Sequence, residues 1–151
     1  MDTSEKITLR TSELITKYST SSKSVHYLLC DQYPATKLAY KIINENMEEY
    51  ALSYGELKTQ SILLANGLKQ RGVKKGDRIA TLMGKSKEYI ITLLAIWRIG
   101  AVHVPLFTAF SAPAITFRVN GSNSKIVFCD QKQQSKLKPS DDFAPNGEVE
   151  V

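Results

Sequence analysis

The chain has 151 residues with a formal net charge of +5, 42% hydrophobic and 23% charged residues. That length and balance suit one soluble domain with a core of its own and exclude wholesale disorder. The basic residues fall in scattered pairs, Lys69 with Arg71, Lys74-Lys75 with Arg78, Lys85 with Lys87. No aromatic platform is interleaved with them, so they read as solvated surface and no nucleic-acid partner is expected. Cys30 and Cys129 are the only cysteines and form no Cys-x-x-Cys pair. A single disulfide stays open, but a reduced cytoplasmic protein is the expectation. Met1 to Arg10 lacks the apolar core of a signal peptide. The longest apolar stretch, Tyr89 to Val102, is broken by Thr92, Arg98 and Gly100, too short and too polar to span a bilayer.

Residues 1–24 read as a loosely ordered, flexible N-terminal segment, because Thr16 to Ser24 is rich in Ser and Thr without an apolar period. Val25 to Tyr33 suits a short helix stopped by Pro34. Leu38 to Ile43 and Tyr50 to Tyr54 suit two strands of a hairpin around a polar turn. Ser53 and Glu56 have capping-box spacing, and Leu57, Leu64, Ala65 and Leu68 share one face of the helix that follows. Gly72 ends that helix and Val73 to Asp77 turns.

Arg78 to Met83 is a near-continuous apolar strand, as expected where both sheet faces are covered. Ser86 is a fair N-cap for a helix that is apolar nearly all round, through Tyr89, Ile90, Leu93, Leu94, Ile96 and Trp97, and that Gly100 closes. Ala101 to Leu106 reads as a strand. Ser111 to Val119 reads as a helix with Pro113 in its first turn, ended by Asn120-Gly121. Lys125 to Cys129 reads as a strand. From Gln131 the sequence is polar and reads as a linker or tail with nothing to pack on. Hairpin, then α, β, α, β, α, β, implies a layered α/β fold with a largely parallel sheet.

Ligands of open parallel sheets sit beyond the carboxyl ends of the strands. Three segments fall there: Met83 to Ser86, Leu106 to Phe110 and Asp130 to Lys138. Gly84-Lys85-Ser86 invites a phosphate-loop reading, but that pattern needs a glycine where Ile79 stands inside a strand. Thr20 to Ser24 has no glycine for close approach to phosphate and reads as tail. His103 reads as a packed, hydrogen-bonded histidine, since no metal-ligating neighbour accompanies it. Cys129 reads as a small buried hydrophobe without an activating base. Glu48-Glu49 and Asp141-Asp142 are adjacent in extended segments and point apart, so they form no general acid/base pair.

Between Ala39 and Asp130 the chain resembles the N-terminal part of the adenylate-forming acyl-CoA synthetases. The likeness rests on Leu52-Ser53-Tyr54-Gly55-Glu56-Leu57, the Gly72-Val73-Lys74-Lys75-Gly76-Asp77 turn, and Trp97-Arg98-Ile99-Gly100-Ala101-Val102-His103-Val104-Pro105. Leu106 to Phe110 and Phe117-Arg118 look most like the short- and medium-chain branch, the relatives of acetyl-CoA synthetase that also serve fatty acid metabolism. The resemblance implies a partial N-terminal domain of the adenylate-forming fold. It also implies a reaction for the full-length relative: a carboxylate, ATP and CoA become acyl-CoA, AMP and pyrophosphate through an acyl-adenylate, with Mg as cofactor. Replacing a poor leaving group by AMP before thiol attack splits one hard step into two.

The family's glycine-rich ATP loop, ribose-binding Asp, Thr-Glu pair and C-terminal lysine match no position here, so no catalytic residue is assigned. In the relatives, the loop matching Phe107, Thr108 and Ala109 borders the CoA nucleotide, and basic residues after the next strand meet its phosphate. Lys136 and Lys138 occupy that neighbourhood, which makes these five the candidate cofactor-binding residues.

The expected organisation is a flexible segment at 1–24, the α/β unit at 25–130 and a polar tail or truncated linker at 131–151. The primary reading is an N-terminal fragment of an acyl-CoA ligase, not catalytically complete, that meets its carboxylate, ATP and CoA through the missing remainder. The alternative is a standalone module that binds a nucleotide, CoA or a protein without catalysis. Apolar surface left uncovered predicts self-association.

Overall fold

The computed structural model describes residues 2–19, 24–44 and 46–151. The Thr20 to Lys23 part of the Ser/Thr stretch lies outside the described residues. The chain begins with α1 (Thr3–Ser19) and a π-helical turn (Tyr27–Asp31). The hairpin β1 (Leu38–Ile43) and β2 (Glu49–Ser53) leads into α2 (Tyr54–Gln70). Then come β3 (Arg78–Leu82), α3 (Lys87–Arg98), β4 (Val102–Pro105), α4 (Ala112–Ser122), β5 (Ser124–Cys129) and a 3-10 helix (Gln131–Leu137). The hairpin is antiparallel, while β4, β3 and β5 form a parallel sheet in that order. The α/β reading with a parallel sheet and a separate hairpin therefore holds.

Local chemistry explains most boundaries. Ser53 and Glu56 close both halves of the capping box at the start of α2, with Glu56 N–H to Ser53 Oγ at 3.2 Å and Ser53 N–H to Glu56 Oε2 at 2.9 Å. Gly72 and Gly100 hold φ of +81° and +70°, left-handed caps that end α2 and α3. α4 runs past Asn120-Gly121, because Asn123 at φ 51° supplies the left-handed cap instead.

The sheet is covered on both faces. Ile79 and Ile126 pack with Ala65, Leu68, Ala95 and Ile96 of α2 and α3, and with Ile99 just past the end of α3. Ala80, Leu82 and Val127 pack on the other face with Ile115 and Val119 of α4. Strand alternation sorts these side chains to opposite faces.

Two expectations are corrected. Residues 3–19 form a helix, not a loose segment: Asp2 Oδ1 accepts from Thr3 N–H at 2.6 Å, and the Thr8 and Thr11 hydroxyls bond back to the Ser4 and Ile7 carbonyls. Hydroxyls that would compete with helix are satisfied inside it. This helix buries none of its residues.

The segment after Gln131 is not a tail without partners. Leu137 and Phe143 are buried, 4% and 3% exposed, in the core on the α4 face, with Val149 packed against it. The Thr116 hydroxyl donates to the Asp142 carbonyl at 2.9 Å, and Asn146 N–H donates to Asn120 Oδ1 at 2.8 Å. Glu150 pairs in parallel beside β5, accepting from Val127 N–H at 2.8 Å and donating to the Lys125 carbonyl at 3.0 Å. Three apolar residues placed far apart suffice to fasten a polar segment, which is why hydropathy hides it.

Candidate functional site

The β4–α4 loop leaves the carboxyl end of the sheet, held at its root by Leu106 N–H donating to the Thr81 carbonyl at 2.9 Å. Phe110 N–H donates back to the Phe107 carbonyl at 2.9 Å and closes a turn over Phe107, Thr108 and Ala109. Phe107 is 63% exposed. Its ring meets Phe110 edge to face, centroids 5.7 Å apart at 87°. The Arg118 guanidinium lies over the Phe110 ring, 3.9 Å from its centroid, while Nη1 donates to the Ala114 carbonyl at 2.8 Å. The result is an aromatic pair with a cation on its inner member.

The 3-10 helix brings Lys136 to the same loop, where its Nζ donates to the Thr108 carbonyl at 2.6 Å. Thus the structure brings together Phe107, Thr108, Ala109 and Lys136. Lys138 follows the end of that helix in extended backbone, exposed, and none of the described hydrogen bonds joins it to the loop. Reading the sequence missed Arg118 as a neighbour of Phe110. Its position on the first turns of a helix that starts just after the loop was the available signal.

The neighbouring segments fill other roles. Gly84 N–H donates to Asp130 Oδ2 at 2.5 Å, so a carboxylate already holds the amide that a phosphate would need. Ile79, where a phosphate loop would need glycine, lies fully buried within β3. Ser86 Oγ instead caps α3 by accepting from Tyr89 N–H at 3.2 Å. His103 Nε2 shares a 2.7 Å hydrogen bond with the Thr81 hydroxyl, and burial holds its pKa below the ordinary value. Burial, and then the Asp130 charge, push the Cys129 thiol up, the opposite of nucleophile activation. Glu49 pairs with Lys41 at 2.7 Å and Glu48 accepts from Asn44 at 2.6 Å. Both cysteines are free thiols. Among the described residues no group of three His, Cys, Asp or Glu could hold a metal ion. No helix of the described residues is long and apolar enough to cross a membrane.

A second buried cluster braces the scaffold. Arg98 Nη1 and Nη2 donate to the two carboxylate oxygens of Asp31 at 2.8 and 2.5 Å, and Nε donates to the Ser61 hydroxyl at 2.8 Å. One guanidinium so ties the π-helical turn, α2 and α3 together. That bond holds the Asp31 carboxyl below its ordinary pKa.

A parallel sheet with a loop at its carboxyl end defines an α/β unit, and comparison with known proteins says of which kind. Residues 30–150 match the model of the AMP-binding enzyme family. Acetyl-coenzyme A synthetase from Chlorobaculum tepidum is 49% identical over 85 residues, 56% of this chain and 13% of the relative. The enzyme of the same name from Methanothrix thermoacetophila is 36% identical over 114 residues, 72% of this chain and 17% of the relative. Among solved structures, a Brucella canis acyl-CoA synthetase superposes with a TM-score of 0.76 at 29% identity, over 85% of this chain and 25% of that one. MatB from Rhodopseudomonas palustris gives 0.64 at 30% identity, over 76% and 22%. The chain belongs to the AMP-binding enzyme family and corresponds to the N-terminal part of an AMP-forming acyl-CoA synthetase. It spans less than a fifth of the length of these curated relatives.

Proposed function

We propose that this chain is the N-terminal portion of an ATP-dependent acyl-CoA ligase, and that its own contribution is one wall of the CoA-nucleotide site. The observation that carries this is the Phe107–Phe110 turn, which presents an exposed ring at the carboxyl end of β4 and is joined by Lys136 from the following element. An aromatic face and a nearby cation suit a nucleobase and its phosphate, and the donor set therefore fits the nucleotide end of CoA. The whole ligase would convert a short- or medium-chain carboxylate, ATP and CoA to acyl-CoA, AMP and pyrophosphate, with Mg bound to ATP. Those steps depend on residues outside this chain, and none is routed through it. The setting is cytoplasmic, where two free thiols persist.

A version of the protein extended to the length of its relatives is expected to catalyse carboxylate-dependent ATP–pyrophosphate exchange. A folded extended protein inert with every short- and medium-chain acid tested would refute the ligase reading. One observation favours the second reading, a non-catalytic binding module: Leu137 and Phe143 close the α4 face within the chain itself. Calorimetry on the 151-residue chain separates the two. Binding of CoA without any exchange activity in the extended form would leave the module reading standing.

A further inference from the structure

We infer that a groove between the hairpin and the start of α3 is a binding site for a small aromatic anion, with Lys85 as its charge partner. It shares no lining residue with the β4–α4 loop and does not depend on the ligase reading.

The hairpin turns one face toward α3. Tyr40 and Ile42 stand opposite Leu52 and Tyr50 across the two strands, so these four side chains share that face. Leu52 is buried with Ile91 and Leu94, and Ile42 and Ile90 pack against them. Between the two elements lie adjoining cavities of about 320 and 350 Å³, which share Ile42, Ile43, Lys85 and Ser86 as walls. Both exceed the lower bound for ligand sites, about 300 Å³.

Charge sorts the two cavities. The smaller is lined by Glu56 and Glu88 as well as by Lys85 and Lys87. Glu56 is committed to the capping box: the Ser53 backbone and hydroxyl bonds, and then the Lys87 charge, hold its carboxyl below the ordinary pKa. In the larger cavity, the described lining has no carboxylate. Of its two cations, Lys41 is paired with Glu49 at 2.7 Å. Lys85 is exposed, and its ammonium makes no hydrogen bond or ion pair with any described residue. The N-terminus of α3, capped by Ser86, opens on the same wall and adds positive potential.

The rest of the larger cavity is apolar. Tyr40 and Tyr89 line it together with Ile42 and Ile90. The Tyr89 ring meets the His103 ring edge-on, centroids 6.3 Å apart, and that contact steadies one wall. Two tyrosines and two isoleucines suit a flat apolar body. A single uncommitted lysine is a point charge and matches a single negative charge. Together they select an aromatic monoanion.

The test is a titration of the 151-residue chain with naphthalene-2-sulfonate and the neutral naphthalene-2-sulfonamide, followed by NMR. A sulfonate cannot be activated to an acyl group, so the readout is separate from any ligase chemistry. The sulfonate is expected to shift the Ser86 and Tyr89 amides and the Ile42 and Ile43 methyls. It should bind about tenfold more tightly than the sulfonamide, the size of one charged hydrogen bond. Lys85→Met is expected to cancel that tenfold preference and leave sulfonamide binding unchanged, whereas Lys85→Arg keeps it. Lys87→Met should also keep it, because the Lys87 charge is met by Glu56. Tyr40→Ala should weaken both compounds alike. An unaltered thermal melt of Lys85→Met is expected, since that side chain is exposed and unbonded.

The inference is overturned if the wild-type chain binds neither compound, if the shifts gather elsewhere, or if the two compounds bind equally. It also falls if Lys87→Met costs as much preference as Lys85→Met, which would mean a diffuse basic surface without a site.

Discussion

Arg98 and Asp31 show how much one residue carries in this scaffold. Their side chains are 7% and 14% exposed, and the guanidinium reaches two carboxylate oxygens and the Ser61 hydroxyl. Removing one partner strands the other charge away from water. Asp31→Asn or Arg98→Met should destabilise the fold by about 3–5 kcal/mol, read from urea unfolding midpoints. A loss below about 1 kcal/mol would show that water reaches the pair. His26 lies 3.9 Å from Asp31 and close to Arg98, and burial followed by the Arg98 charge lowers its pKa below 6.5. Burial alone lowers that of His103.

For both histidines the unfolded chain takes up its proton near the ordinary value, while the folded chain resists until lower pH. The unfolded state thus binds more protons in that window, and stability falls as pH drops through 6.5. Asp31, with its depressed carboxyl, adds a second loss only as pH falls below 3.8. Unfolding midpoints at about pH 7.5 and about pH 5.5 should differ in the wild type and converge in His26→Gln/His103→Gln. Equal midpoints in the wild type would refute the assignment.

At the scale of elements, the most legible features were those whose cause is local. The Ser53 and Glu56 spacing, the glycines at 72 and 100 and the Ser86 cap each fix a boundary through bonds within a few residues, and each appears as read. Gly100 is the more demanding glycine. Its φ is +70°, and a Cβ there would lie 3.0 Å from Lys75 Cγ. Gly72 has open space around it at φ +81°. Gly100→Ala is therefore expected to cost more than Gly72→Ala, which should lose about 1 kcal/mol from left-handed strain alone. Equal losses in thermal melts would mean that Lys75 simply moves aside.

What the sequence hid were elements fastened by distant partners. Leu137, Phe143 and Val149 are too widely spaced to make a period, and their burial is decided by α4, not by their neighbours. Lys136 was reached by its distance from β5, but its bond to Thr108 depends on how a 3-10 helix folds back over the loop. Phe143→Ala should cost about 3–5 kcal/mol if that segment belongs to the core, whereas a free tail would leave stability unchanged.

For the whole molecule, α1 poses the open physical problem. Ile7, Leu14 and Tyr18 recur at near-heptad spacing with Thr11 between them and Ile15 alongside, yet none is buried. Ile7 and Ile15 are each 61% exposed. A helix of 17 residues rich in Ser and Thr is marginal in water without tertiary support. Its apolar stripe therefore needs a partner, and a second copy can supply the same stripe across a two-fold axis. Association and helix formation should then be coupled. Sedimentation of the chain at rising concentration is expected to show dimers or larger species, with far-ultraviolet helix signal growing in step. Ile7→Glu/Leu14→Glu should return the protein to monomer and lower the helix signal, leaving the unfolding of the sheet domain unaltered. A wild-type chain that stays monomeric at high concentration with α1 fully helical would show that the helix stands alone, and would remove self-association through this face.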